Sequence, residues 1–296
     1  MSVFLVAFGM PRSAAGLASV LLVAALAAAY LGASVALVRR RARALCPEGP
    51  AAALPWTALL WAAVMAYAWA TGLFSPGRGI VYASYLLAPA LVLAPTGRRW
   101  REARTLAAAA VLWLPLELRL LPSLPVGSPR GYDALKLVAL VHGLFLFLVA
   151  RPVPGVGYTF RLRRADVLRA LAAFAAYAAV ALPAGLATHF LAWHPRLAPA
   201  ALAAPVAIYL MTGVPEEFLF RGIIQNTLTR LLGPRGGLAL GAVVFGLAHL
   251  PDPRYAALAA VAGVAYGWVY QRTGRITASA ITHAAVDATW VILLRR

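Results

Sequence analysis

The chain has 296 residues, 62% of them hydrophobic, and a formal net charge of +18; its mean hydropathy is +0.79. A soluble domain is roughly 45–50% apolar, so the composition excludes an ordinary soluble enzyme and predicts an integral membrane protein whose constant partner is the lipid bilayer. The arginines sit in short loops between apolar runs, a positive-inside pattern that leaves no nucleic-acid partner to expect.

In chain order, apolar segments fall at about 14–38, 51–73, 80–95, 105–121, 134–150, 167–192, 200–220, 238–250, 255–271 and 277–294. They are long and lack strand alternation, which predicts an all-α polytopic membrane protein of about 8–10 transmembrane helices rather than a barrel. The first run is too long for a signal-peptide core and is followed by its basic cluster, so it reads as a retained helix with its amino terminus outside. Cys46 is the single cysteine, which excludes an intrachain disulfide and a cysteine-based zinc site.

The odd-numbered loops hold Arg39, Arg40, Arg41 and Arg43; Arg98, Arg99, Arg101 and Arg104; Arg151, Arg161, Arg163, Arg164 and Arg169; Arg230 and Arg235; and Arg272 and Arg275. The even-numbered loops hold Arg78, Arg130, Arg196 and Arg254, one each. This places the odd loops in the cytoplasm, and the terminal Arg295 and Arg296 run against the scheme. The chain divides near 151–166: residues 1–150 are amino-terminal spans of unknown role, and 167–296 hold the ionisable groups expected at membrane depth. An Ala-, Arg- and Leu-rich composition with one lysine, Lys136, fits a GC-rich genome and favours a bacterial cytoplasmic membrane.

Three stretches carry chemistry. In "GVPEEFLFRG" (213–222), Glu217 and Arg221 are spaced i, i+4 and share a helix face. An ion pair packing two helices would explain them structurally. It leaves Glu216, turned about 100° away, unexplained, and a second buried carboxylate reads as a proton handler. In "FGLAHLPDP" (245–253), Phe245 and His249 are i, i+4 on a short apolar helix; alone, His249 reads as a core histidine. In "ITHAAVDATW" (281–290), His283 and Asp287 share a face of the last helix, either as simple pairing or as an oriented acid–base group. At 1.5 Å per residue His283 lies on the order of 10 Å, and His249 on the order of 15–20 Å, from the arginine-rich ends of their helices. Such depths suit one site in the cytoplasmic half, open to that side. Carboxylates and imidazoles together suit activation of water, which needs a base or a metal to take its proton. Intramembrane Glu, His and Arg also serve proton-coupled transporters. Glu117, Arg119 and His142 mark either a pair between spans or a second polar pathway.

Together, "EEFLFR" (216–221), "FGLAH" (245–249) and "HAAVD" (283–287) resemble the CAAX-protease and bacteriocin-processing family of intramembrane endopeptidases, also called Abi, whose pattern is EExxxR, FxxxH and HxxxN or HxxxD on successive helices. The resemblance covers about residues 167–291. It implies hydrolysis of a peptide bond in a peptide precursor or membrane-anchored protein. Matched residue by residue, Glu216 would be the base on water, His249 would help to hold it, His283 and Asp287 would stabilise the oxyanion, and Glu217 and Arg221 would fix the geometry. Asp287 stands where prenyl-protein-processing members typically carry Asn, and an ionised Asp cannot donate to an oxyanion. The family's chemistry is ambiguous between glutamate-activated and metal-bound water. Glu216, His249 and His283 are the set that could hold Zn2+. A proton-coupled transporter and a non-catalytic immunity or scaffold protein are the alternatives.

Overall fold

The computed structural model describes residues 14–46, 50–95, 97, 100–126, 132–196 and 203–295. Arg98, Arg99, Arg130 and Arg296 of the loop scheme lie outside them. The protein is an all-α polytopic membrane protein. Five of its described helices are long and apolar enough to cross a bilayer: Ala14–Gly32, Ala51–Ala70, Pro76–Leu93, Arg164–Ala187 and Ile276–Leu293. The chain forms two compact units, one up to Val153 and one from Pro154.

The amino-terminal unit comprises α1 (Ala14–Gly32), α2 (Ala36–Ala44), α3 (Leu54–Ala70), α4 (Pro76–Leu93), α5 (Arg101–Glu117) and α6 (Ala134–Phe145), the last continued by a π-wound turn, Leu146–Ala150. Two-residue strands β1 (Pro125–Val126) and β2 (Tyr132–Asp133) pair antiparallel before α6. Asp133 caps α6 by accepting from the Leu135 amide at 3.0 Å. Nearly every residue of α6 is buried, so this helix is the unit's centre, as an unbroken apolar run requires. Arg43, Arg101 and Arg151 close helix termini at one end. Arg43 donates to the Leu148 carbonyl, Arg151 to those of Leu93 and Ala94, and Arg101 to that of Pro152. His142 is buried with Nε2 2.8 Å from the Leu86 carbonyl, whereas Glu117 and Arg119 are exposed at the end of α5.

The carboxy-terminal unit begins with an extended segment, 154–163, and continues as α7 (Arg164–Ala187), the strand β3 (Ala192–Trp193) and a long helix, α8 (204–225). Within α8, π-wound turns Tyr209–Gly213 and Phe218–Gln225 flank the short α-helical piece Val214–Glu217, and such widened turns recur at functional sites. The next helix, α9 (Asn226–Leu247), is broken at Gly233, whose φ of 76° and ψ of 173° precede Pro234. α10 (Pro253–Thr273) starts on Asp252, which accepts from the Arg254 amide at 3.0 Å, and stops at left-handed Gly274. α11 (Ile276–Leu293) ends in β4 (Leu294–Arg295), paired antiparallel with β3. α9 and α10 meet along small residues: a methyl added to Gly263 would strike the Ala242 backbone, and one on Gly246 the Ala256 carbonyl.

The unit has two distinct ends. At one, Asp166 caps α7 and pairs with Arg275 at 2.9 Å, and Arg230 and Asn226 donate to the Pro154 carbonyl. At the other, β3 and β4 pair, and Arg254 reaches the Thr188 carbonyl at 3.3 Å. The loops that sequence assigns to the cytoplasm therefore collect at a common end.

Candidate active site

Glu217 lies wholly inside the bundle on α8. Its spacing to Arg221 brings Arg221 Nε to Oε2 at 3.0 Å, with both side chains 0% exposed. Two further donors converge on the same carboxylate from α11: the Ser279 hydroxyl reaches Oε2, and His283 Nδ1 stands 3.0 Å from Oε1. The Ser279 hydroxyl also lies 2.8 Å from the Tyr266 carbonyl, and its single proton serves one acceptor at a time. A carboxylate this deep is tolerated because charge-assisted donors surround it.

His283 is the hub. With Nδ1 directed at Glu217, Nε2 faces two other carboxylates, Glu216 Oε2 at 3.7 Å and Asp287 Oδ2 at 3.6 Å. Those gaps exceed a direct hydrogen bond. Tyr266 of α10 stacks flat on the imidazole, centroids 4.7 Å apart at 16°, which fixes the ring plane while the carboxylates fix its rotation. Arg221 lies over the rings of Phe245 at 4.7 Å and Tyr266 at 5.6 Å. Its Nη1 and Nη2 have no hydrogen-bond partner among the described residues.

His249 follows the end of α9, and its Nδ1 is 2.7 Å from the Phe245 carbonyl one turn back. A carbonyl can only accept, so Nδ1 carries the proton of that bond. Phe245 contacts both imidazoles, with centroids 4.7 Å from His249 and 5.8 Å from His283. All six residues singled out from sequence thus meet in one neighbourhood built by α8, α9 and α11, with α10 behind them.

Two residues of the site lie outside the three motifs, Ser279 and Tyr266. Ser279 had a usable signal, since it lies i−4 from His283 on the same face. Tyr266 had none, because a tyrosine in an apolar helix carries no mark of what it will stack on. Glu117, Arg119 and His142 belong to the amino-terminal unit, where two are exposed and one is buried.

No three His, Cys, Asp or Glu side chains among the described residues form a group that could hold a metal ion. Of the trio weighed for Zn2+, Glu216 and His283 stand 3.7 Å apart, and the His249 ring is joined to the His283 ring through Phe245.

Exposure within the site is graded. The side chains of Glu217 and His283 are 0% and 4% exposed, whereas those of Glu216 and Asp287 are 27% and 33% exposed.

The apolar helices of this unit thus enclose a carboxylate–imidazole–guanidinium cluster. Residues 198–289 match the family model described as Rce1-like, type II CAAX prenyl endopeptidase Rce1-like. The match spans about a third of the chain, contains all three motifs, and bears out the family resemblance over this segment. No curated protein and no solved structure matches the chain.

Proposed function

We propose that the protein is an intramembrane endopeptidase that hydrolyses a peptide bond of a peptide precursor or membrane-anchored protein with water activated by Glu216 and the histidines. The observation that carries this reading is His283, held by Glu217 through one nitrogen while the other faces the partly exposed Glu216 and Asp287. Water, with a pKa near 15.7, needs a base or a metal to take its proton. Glu216 is the carboxylate of the adjacent pair that remains reachable, so it takes the proton as the oxygen attacks the scissile carbonyl carbon. The proton then passes to the amine as the C–N bond breaks. Glu217, fixed by Arg221 and Ser279, anchors the imidazole. Asp287, with Oδ2 towards His283 Nε2, orients the ring from the other side rather than donating to an oxyanion. His249, with Nδ1–H bound to Phe245, presents Nε2 as an acceptor for the water. The match to a prenyl endopeptidase family agrees with peptide-bond cleavage.

The test compares newly formed peptide termini in membranes holding equal amounts of wild-type protein or Glu216→Gln, with a chelator arm on wild type. Termini present only with wild type are expected, and the loss of a positioned base reduces their rate by about 10²–10⁴-fold. Loss of the wild-type termini with chelator would assign the water to a metal. Identical profiles from folded proteins would refute the reading and favour a carrier or immunity role.

A further inference from the structure

α7 lies outside the matched residues 198–289 and carries none of the three motifs. Its place beside α10 and α11 is nevertheless fixed along its length. Ahead of it, the segment 154–160 runs as a strap across the ends of α8, α10 and α11. Tyr270 donates to the Gly155 carbonyl at 2.6 Å, the Ile276 amide to that of Gly157 at 3.3 Å, and the Thr277 hydroxyl to that of Thr159 at 2.5 Å. Gly157 has φ of 67°, and any side chain there would collide with the Gly274 carbonyl. Asp166 then pairs with Arg275, and Thr282 donates to the Ala170 carbonyl at 3.0 Å. At the far end of α7, Leu182 packs on the cluster of Phe190, Leu191 and Leu294. α7 therefore runs parallel to α11. The Asp166–Arg275 and Ala170–Thr282 contacts join residues 109 and 112 positions apart. Two parallel helices of equal rise keep that step, which brings Tyr177 level with roughly residues 286–289.

The inward face of α7 is made of small residues. After Asp166, its buried positions are Ala170, Ala173, Ala181 and Gly185. Tyr177 fills the gap in that stripe, four residues after Ala173 and four before Ala181, so it shares the face turned to α10 and α11. It is half-buried. Its phenol lies within electrostatic reach of Asp287 and Tyr255, and the Tyr266 phenol lies within reach of Tyr177, Asp287 and Glu217. Tyr209 and Tyr270 of the same unit donate their protons to the carbonyls of Thr277 and Gly155. The Tyr177 hydroxyl has no such bond among the described residues.

Attack of water on a peptide bond puts negative charge on the carbonyl oxygen, and a donor aimed at that oxygen carries much of the rate. Asp287 as a carboxylate accepts and does not donate. The Ser279 hydroxyl and His283 Nδ1 are turned to Glu217, and His249 Nδ1–H is bound to the Phe245 carbonyl. We propose that Tyr177 is a further catalytic residue, whose hydroxyl donates to the oxyanion and supplies the hydrogen bond that a carboxylate at 287 cannot. The inference rests on the endopeptidase reading. The water oxygen bonds to the carbonyl carbon, its proton goes to Glu216, and the C=O pair moves onto the oxygen that Tyr177 holds. When that pair returns, the C–N bond breaks and the proton on Glu216 passes to the amine. Tyr177 keeps its own proton throughout.

The test uses a synthetic peptide spanning one of the cuts made only by wild type. Wild type, Tyr177→Phe, Asp287→Asn and the double variant are reconstituted at equal amounts, and their melting temperatures are measured alongside. Tyr177→Phe keeps the ring and its packing and removes only the hydroxyl. It is expected to lower kcat about 100-fold while KM and the melting temperature stay at wild-type values. In the Asp287→Asn background, where the amide can donate, the same change is expected to cost less than about tenfold. An unchanged kcat, a loss confined to KM or to the melting temperature, or equal losses in the two backgrounds would overturn the proposal. Absence of any terminus that depends on Glu216 would sink the endopeptidase reading and the proposal with it. Glu216-dependent cleavage that Tyr177→Phe leaves intact would overturn the proposal alone.

Discussion

Glu217→Leu and Arg221→Met each remove one partner of an ion pair whose atoms stand 3.0 Å apart with both side chains 0% exposed. Breaking a buried pair from one side typically costs about 3–5 kcal/mol, because a charge is left in a low-dielectric interior. The two substitutions are not equivalent here. After Arg221→Met, Glu217 still accepts from Ser279 and His283, so the expected loss is at the low end, about 3 kcal/mol. After Glu217→Leu, the Arg221 guanidinium keeps only the faces of Phe245 and Tyr266, so the loss is at the high end, about 5 kcal/mol. A membrane reference state that finds its own polar partners scales both numbers down but preserves their order. The double variant, with neither charge, is expected to be less destabilised than Glu217→Leu alone. Reversible unfolding in mixed detergent micelles, followed by ellipticity in a double-mutant cycle, measures all four proteins. Arg221→Met as damaging as Glu217→Leu, or a double variant worse than the sum of the singles, would refute this account of the charge cluster.

Three other outcomes follow from particular contacts. Ser279→Ala removes one donor from Glu217 and is expected to cost about 1–3 kcal/mol in the same unfolding assay; no change would mean that Ser279 serves only the Tyr266 carbonyl. Gly157→Ala forces a side chain into left-handed backbone against Gly274, and is expected to lower the melting temperature and speed proteolytic nicking of the strap, which gel analysis reads directly. Tyr266→Phe retains the stack on His283 and is expected to keep cleavage near wild type, whereas Tyr266→Leu, which loses it, slows the appearance of termini at unchanged protein level. Equal rates for the two would remove Tyr266 as a positioning residue.

The pairs within single helices were legible in the sequence, since a 3.6-residue period puts i and i+4 on one face whatever the rest of the chain does. Glu217 with Arg221 is such a pair. Asp287 beside His283 is another, and so is the bond from His249 to the Phe245 carbonyl. The hydrophobic setting was equally plain, because apolar runs with arginine-bearing loops have few other physical solutions. What joins different helices was decided only by packing. The spacing in "PEEFLFR" does not say which glutamate will meet an imidazole 66 positions away; the winding of α8 and its contact with α11 give that place to Glu217 and leave Glu216 reachable. Nor does it say that Tyr266 will lie flat on His283. The strap is the clearest case. As sequence, 154–160 reads PGVGYTF, uncharged and without helical spacing, with glycines that could serve any turn. Only the tertiary fold lays it over the arginine-rich end, since the residues that donate to its carbonyls are 72 or more positions away, and a local pattern carries no record of such distant partners.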